Sequence, residues 1–295
     1  MPKQERSRMQ QTKKHIDPQT IKALAIDLDG TALLPDNSLG DLTVKCLKKL
    51  IARGIQVIIS TGRAVESSQR YYSAIGAQGP MVFCNGAVVA DVPDVKIIAS
   101  SLMDLEVVDY GLDLARSMNI HFQAFFPPSV TQWGTLLFDK MTPEGEMYHK
   151  HTGIVPVVTD MKAAIAAPDM SGCIKAMFIT DPALHDTLRH KMLDRFGSRI
   201  YISRTYPTFL EIMNAGVSKG EGLKTVMECR GLRPQEIIAF GDEENDLPMF
   251  SVAGFTAAPS SAKDKVRQAA DFVFGANADE GLAKFLEELF EITPG

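Results

Sequence analysis

The chain of 295 residues has only four cysteines, Cys46, Cys84, Cys173 and Cys229, and no two stand in CxxC spacing. So sparse a set predicts neither a zinc site nor a disulfide framework, and a reducing, cytoplasmic setting suits it. No apolar run reaches the ~18 residues of a membrane-spanning helix. Residues 1–19 carry Lys3, Arg6, Arg8, Lys13 and Lys14 but no apolar stretch, so they read as a mobile basic extension, not a signal peptide. The net charge of −5 lacks the basic excess of a nucleic-acid binder. A P-loop, a dinucleotide fingerprint and an HExxH motif are all missing. An EF-hand begun at Asp27 or at Asp242 needs Gly at its sixth and Glu at its twelfth position; the chain has Ala32 and Ser38, or Leu247 and Ala253. There is no internal repeat and no low-complexity tract. What remains is an ordinary globular composition, 45% hydrophobic, in a length that allows roughly two domains.

Within it, Asp27-Leu28-Asp29-Gly30-Thr31 is the most informative stretch. Residues 21–28 are apolar apart from Lys22 and the first Asp, and they predict a short buried strand. Such a strand delivers two carboxylates at its C-terminal end, the end where open α/β sheets bind ligands. Side chains alternate along a strand, so Asp27 and Asp29 share one side. Paired carboxylates repel each other, and a divalent cation relieves that; a carboxylate can also accept a phosphoryl group as a nucleophile.

A helix is predicted over about 41–53 and stopped by Gly54, then a strand Ile55–Ile59 ending in Ser60-Thr61-Gly62-Arg63, and a helix over about 64–74. A third strand, Met81–Cys84, ends in Asn85-Gly86-Ala87. This alternation predicts a parallel sheet with right-handed crossovers. From about 88 to 213 the pattern loosens. Strands are expected at 95–99, 120–125, 136–138, 173–180, 199–203 and 209–213, with helices near 104–118, 144–151 and 182–196. Pro127-Pro128-Ser129 and Ala167-Pro168-Asp169 mark loops. The irregular order predicts an α+β insert with a partly antiparallel sheet. The α/β rhythm returns near Asn214. Ser218-Lys219-Gly220-Glu221 has capping-box spacing ahead of a helix to about Arg230. Strand Ile237–Phe240 ends in Gly241-Asp242-Glu243-Glu244-Asn245-Asp246. Late strands at 255–257 and 272–274 and a helix over about 282–290 follow.

If the strands are parallel, Asp27, Asp29, Thr61, Asp242 and Asn245 converge at one edge. Asp27, Asp29 and Asp242 could share one Mg²⁺, which keeps several waters and needs only a partial protein cage. Thr61, Lys219 and the Asn245 amide supply donors for a phosphate, and Lys219 opens a helix, where the dipole favours an anion.

These segments resemble the four motifs of the haloacid dehalogenase superfamily of phosphohydrolases. Asp-x-Asp-Gly-Thr matches the first, Thr61 in Ser-Thr-Gly-Arg the second, Lys219 in Val-Ser-Lys-Gly the third and Gly-Asp-x-x-Asn-Asp at 241–246 the fourth. Asn85-Gly-Ala and the large insert after it resemble the Cof-type subfamily with its type II (α/β) cap. The likeness covers nearly the whole chain after residue 20. It departs at Ala257–Ala262, where relatives often carry Met-Gly-Asn-Ala. The resemblance implies a Rossmann-like α/β core at 20–87 and 214–295 with an inserted α+β cap at 88–213. It implies a Mg²⁺-dependent phosphatase for small phosphorylated metabolites, sugar phosphates above all. Asp27 would be the nucleophile and Asp29 the acid and base. Asp27, the Asp29 carbonyl and Asp242 would hold the metal, with Glu243 nearby. Leu28, Thr61, Gly62, Lys219 and Asn245 would bind the phosphoryl group, and Asn85 would face the substrate at the core–cap junction. Asp246 is expected to orient Lys219 or a metal-bound water.

Two alternatives stand beside this. A phosphomutase would need basic cap residues, with Lys140, Lys150, Lys175 and Arg204 as candidates. A sugar-phosphate sensor would bind without turnover, against which the intact Asp27, Asp29 and Lys219 argue. His121, Phe122, Gln123, Phe125, Phe126 and Trp133 either line the leaving-group pocket or pack the cap interior. His149 and His151 read as exposed helix residues and Cys84 as a core thiol. Gly86 and Asn214-Ala215-Gly216 are candidate hinges. The oligomeric state is left open.

Overall fold

A computed structural model of the chain describes residue 14 and residues 16–127, 135–168 and 170–292. Trp133, Asp169, the Pro128-Ser129 part of one predicted loop and most of the N-terminal extension lie outside them. The end of that extension is fixed in place: Lys14 reaches Asp271 at 3.3 Å, and Asp17 caps a 3₁₀ turn at Pro18–Thr20.

The core is a five-stranded parallel sheet. In it β1 (Ala23–Ile26) lies between β2 (Gln56–Ile59), at the edge, and the central strand at Ile237–Phe240; strands at Phe255–Pro259 and Phe272–Phe274 extend it outward. β1 is shorter than the predicted 21–28, but the ladder hydrogen bonds run past it: Lys22 N donates to Glu236 O and Asp27 N to Phe240 O. Alternation sorts its side chains between two cores. Leu24 and Ile26 join Leu47 and Leu50 of α1 (Asp41–Ala52), Tyr72 of α2 (Val65–Ile75) and Leu282 and Leu286 of the last helix. Ala23 and Ala25 join Leu223, Val226 and Met227 of the helix at Lys219–Arg230 on the opposite face. Both faces of the parallel sheet are therefore covered, as its continuous apolar strands require.

The third predicted strand departs from expectation. β3 (Gly79–Phe83) meets β2 through a single parallel bridge, Ser60 to Val82. Its own ladder is antiparallel, with β4 (Val88–Val92), which in turn pairs with β5 (Lys96–Ser100). The cause is local. Cys84, Asn85 and Gly86 have φ of 49°, 55° and 100°, three consecutive left-handed residues that reverse the chain. Residues 88–100, read from sequence as the start of the insert, thus pair with β3.

The insert proper carries a six-stranded sheet of mostly antiparallel strands: β6 (His121–Phe126), β7 (Thr135–Phe138), β8 (Val157–Val158), β9 (Lys175–Ile179), β10 (Ile200–Tyr206) and β11 (Phe209–Asn214), in the order β10-β11-β9-β6-β7-β8. Only β7 and β8 run parallel. On one face Phe122, Phe126, Ala176, Phe178 and Ile212 pack under α3 (Leu105–Met118), α5 (Met161–Ile165) and α6 (His185–Phe196). The other face carries Phe125, Lys175, Met177, Phe209 and Glu211 and is partly covered by α4 (Pro143–Thr152), whose Tyr148 lies 5.6 Å from Phe209 between ring centres. The chain returns to the core through α7 (Lys219–Arg230), β12 (Ile237–Phe240), α8 (Leu247–Phe250), β13 (Phe255–Pro259), α9 (Asp264–Ala269), β14 (Phe272–Phe274) and α10 (Gly281–Leu289). This is an α/β fold, a parallel core sheet with an additional antiparallel sheet inserted. No described helix is long and apolar enough to cross a membrane.

Candidate active site

β1, β2 and β12 all end at one edge of the core sheet, and β1 lies where the chain order reverses, the crevice in which open α/β sheets place ligands. Asp27 follows β1 directly and is buried. After it Gly30, at φ 78°, turns the chain so closely past β12 that a Cβ there would lie 2.2 Å from an Asp242 carboxylate oxygen. Thr31 donates its hydroxyl to that carboxylate at 2.8 Å.

Lys219 reaches the same point from the start of α7. Ser218 caps that helix by accepting from Glu221 N at 3.1 Å, and Gly220 and Gly222 let it press against Pro248 and Val82. The Lys219 side chain, 1% exposed, donates to Asp27 at 2.5 Å and to Asp246 at 2.6 Å. Burial opposes the charged ammonium, but Asp246 and Asp27 outweigh it and hold Lys219 above the ordinary lysine range. Burial raises Asp27 well above the usual carboxylate range despite Lys219, with Asp246, Asp242 and Asp29 adding repulsion. Burial and the neighbouring Asp246 push Asp242 up to about 7. Among the described residues, Asp27, Asp242 and Asp246 form the one carboxylate group close enough to share a cation, with ligand oxygens within 4.8 Å of one another. Within it the roles differ. One oxygen of Asp246 accepts from Lys219 and the other from the backbone N–H groups of Asp242 and Glu243, both at 3.0 Å. These bonds fix the loop after β12 and hold the Lys219 ammonium in place.

The side chains of Asp29, whose backbone carbonyl is the ligand the resemblance implies, and of Glu243, expected nearby, lie apart from this group. Asp29 is half-exposed, and both its carboxylate oxygens are held by Arg63, Nε at 2.7 Å and Nη2 at 2.6 Å. The Glu243 carboxylate is half-exposed and 3.4 Å from Lys263. The reason is the same in both cases. Each sits three residues beyond a strand end, where a separate cation, the largely buried Arg63 or the exposed Lys263, pairs with it outside the crowded carboxylate cluster.

Thr61 is fully buried. Its hydroxyl accepts from Arg63 N at 3.1 Å, which leaves the hydroxyl proton to donate. Gly62 follows, so close to Asn85 that a Cβ would be 3.1 Å from the amide oxygen. Asn85 N donates to Thr61 O, which ties the loop after β3 to the loop after β2. The Leu28 side chain is in the core, leaving only its backbone for ligand contact. Asn245 donates through Nδ2 to Asn85 Oδ1 at 3.0 Å, while its own Oδ1 is buried with no protein hydrogen-bond partner among the described residues. Asn85 in turn donates to Glu211 of β11 at 3.3 Å, and Glu211 is paired with Lys175 at 2.7 Å.

Sequence reasoning missed Glu211 altogether, gave Arg63 no role and took Lys175 only as a mutase candidate. A lone Glu in the strand Leu-Glu-Ile-Met was the available signal, since an ionisable residue inside an apolar strand needs a partner. Phe122 and Phe126 pack the cap interior, whereas Phe125 lies beneath the Lys175 ammonium, 5.2 Å away. His121 bonds to Gln123 and Thr142, and His149 to the Ile154 carbonyl. All four cysteines are unbridged, and burial pushes the Cys84 thiol up to about 12, so it is a core thiol.

The wider likeness agrees with this geometry. A profile of haloacid dehalogenase-like hydrolases matches residues 24–286. The chain is 29% identical over 278 residues to 5-amino-6-(5-phospho-D-ribitylamino)uracil phosphatase YitU of Bacillus subtilis, an alignment spanning 91% of this chain and 97% of that one. The crystal structure of TM0651 from Thermotoga maritima matches with a TM-score of 0.79 at 27% identity, over 93% of this chain and 98% of that one. BT1666 from Bacteroides thetaiotaomicron, described among phosphatases of the haloalkanoate superfamily, matches with a TM-score of 0.73 at 26% identity, over 92% and 96%. With Asp27, Thr61, Lys219 and Asp242 gathered at one sheet edge and a second sheet inserted beside them, the chain belongs to the haloacid dehalogenase-like hydrolases.

Proposed function

We propose that this enzyme is a Mg²⁺-dependent phosphatase that hydrolyses a small phosphorylated metabolite, a sugar or polyol phosphate, through an aspartyl-phosphate intermediate. The observation that carries the reading is the Lys219 ammonium wedged between Asp27 and Asp246, with Asp242 in reach of the same cation. Asp27 and Asp242 are the metal's side-chain ligands in this reading. Both are pushed toward the protonated form as they stand, so a divalent cation supplies the charge that the pair lacks. A Mg²⁺ held by these two carboxylates would supply charge screening between the phosphate and its nucleophile.

The protein groups then divide the work. The Asp27 oxygen forms a bond to phosphorus as the ester P–O bond breaks. Asp29 gives its proton to the leaving oxygen, then takes one from the water that attacks the aspartyl phosphate and returns Asp27. The Thr61 hydroxyl, the Leu28 and Gly62 amides, Lys219 and Asn245 hold the phosphoryl oxygens. To take up a proton, Asp29 must release at least one of its two bonds to Arg63.

The leaving group lies under the insert, where Phe125 and Phe209 of its sheet and Tyr148 of α4 face the core. We place the start of the cap after β5, because residues 88–100 pair with β3. Of the basic cap residues named for a mutase, Lys140 bonds Asn119, Lys150 reaches Glu146 and Lys175 is paired with Glu211, while Arg204 is exposed on β10. Four free thiols support a cytoplasmic setting.

The test is hydrolysis of an aryl phosphate with and without Mg²⁺ by the wild type and by Asp27→Asn, followed by a panel of sugar and polyol phosphates. Phosphate release that needs Mg²⁺ and is lost in the variant is expected. Folded wild-type protein that releases no phosphate from any substrate would overturn the reading.

A further inference from the structure

The buried pair Lys175–Glu211 plays no part in the chemistry above, yet it sits where the two sheets meet. Both residues are 2% exposed, on neighbouring strands β9 and β11 of the inserted sheet. Both reach across to the core. Lys175 donates to the carbonyl of Gly62, in the loop after β2, at 3.2 Å. Glu211 accepts from Asn85, in the loop after β3. A buried ion pair contributes little to stability compared with an apolar pair of similar volume, so its presence here calls for another role.

The direction of the hydrogen bonds supplies one. A carboxylate paired with an ammonium only accepts, and Glu211 is paired with Lys175 at 2.7 Å. The Asn85 amide must therefore turn its Nδ2 toward Glu211, which leaves its Oδ1 facing Asn245. Asn245 must answer with its own Nδ2, as it does at 3.0 Å. A single acceptor in the inserted sheet thus sets which way round two core amides stand. Each keeps a second N–H for a ligand. Without Glu211 both ends of the Asn85 amide are equally acceptable to Asn245, and the donor array loses its orientation.

We propose that Glu211 is a positioning residue of the phosphoryl site, with Lys175 as its counter-charge. The two orient Asn85 and Asn245 only while the inserted sheet rests on the core, so the phosphate pocket is complete only in the closed molecule. The proposal rests on the phosphatase reading for what the pocket binds.

The experiment compares the wild type, Glu211→Gln, the charge-neutral pair Lys175→Met with Glu211→Leu, which removes the acceptor outright, Asn85→Ala, and Asn85→Ala combined with that pair. Each is assayed for melting temperature, for aryl phosphate hydrolysis and for binding of inorganic phosphate by calorimetry in Mg²⁺. Glu211→Gln alone leaves a buried lysine unpaired and risks misfolding; the charge-neutral pair removes that risk. The pair is expected to melt near the wild type while KM rises about 10- to 100-fold, the range seen when a supporting hydrogen-bond partner is lost, with kcat changed much less. Affinity for inorganic phosphate should fall in step. Adding the charge-neutral pair to Asn85→Ala should cost nothing further, because the relay is already broken. A folded charge-neutral pair with wild-type KM and phosphate affinity would sink the proposal, as would full multiplication of the Glu211 and Asn85 effects. A wild type that binds phosphate but hydrolyses nothing would count against the phosphatase reading alone, since the binding arm still reads the relay.

Discussion

Asp29 and Asp27 stand two residues apart in opposite conditions. Asp27 is buried beside Lys219, whereas Asp29 is half-exposed and clasped by Arg63. That contrast suits a nucleophile that must stay put and an acid that must move. Asp29→Asn is expected to slow turnover of a sugar phosphate by about 10²–10⁴-fold, the usual worth of a positioned acid. With p-nitrophenyl phosphate the leaving group needs no proton, so the first step survives. Rapid mixing should then show a burst of about one nitrophenol per enzyme before slow turnover, as the aspartyl phosphate accumulates. A wild-type steady rate without a burst would remove Asp29 from its role.

Asp242 gives the pH dependence. Its ordinary value is 3.8 and burial takes it to about 7, so between these values the metal-free folded protein holds a proton that the unfolded chain has lost. The unfavourable term is absent below the lower value and complete above the upper one, so stability from this group falls as pH rises through the window. In the proposed reading Mg²⁺ would bind the ionised form and cancel the penalty. Thermal melts with Mg²⁺ and with EDTA should therefore differ more at about pH 8 than at about pH 5.5. Equal shifts at both would contradict the assignment.

At the scale of elements, the sequence was most legible where burial and periodicity coincide. Helix Asp41–Ala52 ends before the expected Gly54, helix Lys219–Arg230 begins after its Ser218 cap, and β12 matches its apolar run residue for residue. The core motifs were readable because each lies directly after such a strand or at such a helix start. What failed was pairing. The apolar run of β3 says nothing of its partner, and the left-handed triplet Cys84-Asn85-Gly86 that turns it into a hairpin contains only one glycine. β4 went unnoticed for that reason. Glu211 was hidden because its counter-charge is 36 residues away in sequence. Gly86 is the position where this turn meets the catalytic helix, since a Cβ there would lie 2.0 Å from the Ser218 carbonyl oxygen. Gly86→Ala combines an unfavourable φ with that clash and should destabilise the protein on the order of 1–3 kcal/mol. It should also lower kcat by displacing Lys219. A urea titration with wild-type midpoint would show that the helix start gives way without cost.

At the scale of the molecule, every group assigned to phosphorus or metal comes from the core, and the inserted sheet supplies the roof. The chain leaves the core after β5 and returns at the end of β11, and these two crossings lie side by side: Asn214 donates to the Ser101 hydroxyl at 3.0 Å. If the sheet moves as one body about this point, Gly216, at φ 77° with no neighbour crowding its Cβ position, can absorb rotation that Gly86 cannot. Gly216→Ala, which disfavours the left-handed conformation at this point, is expected to lower kcat at a cost of only about 1–2 kcal/mol in stability, both measured side by side. A large loss of stability would mean that the residue is structural instead.

The adjacency of those two crossings bears on how the enzyme's descendants can diversify. A segment that enters and leaves its host through neighbouring strands can lengthen, shrink or be exchanged without breaking the sheet that does the chemistry. Substitutions on its core-facing surface can thus sample new leaving groups while hydrolysis is inherited intact. Lys175 and Glu211 set a limit on that freedom. They are the two places in the roof where drift toward a new substrate would loosen the grip on phosphate itself.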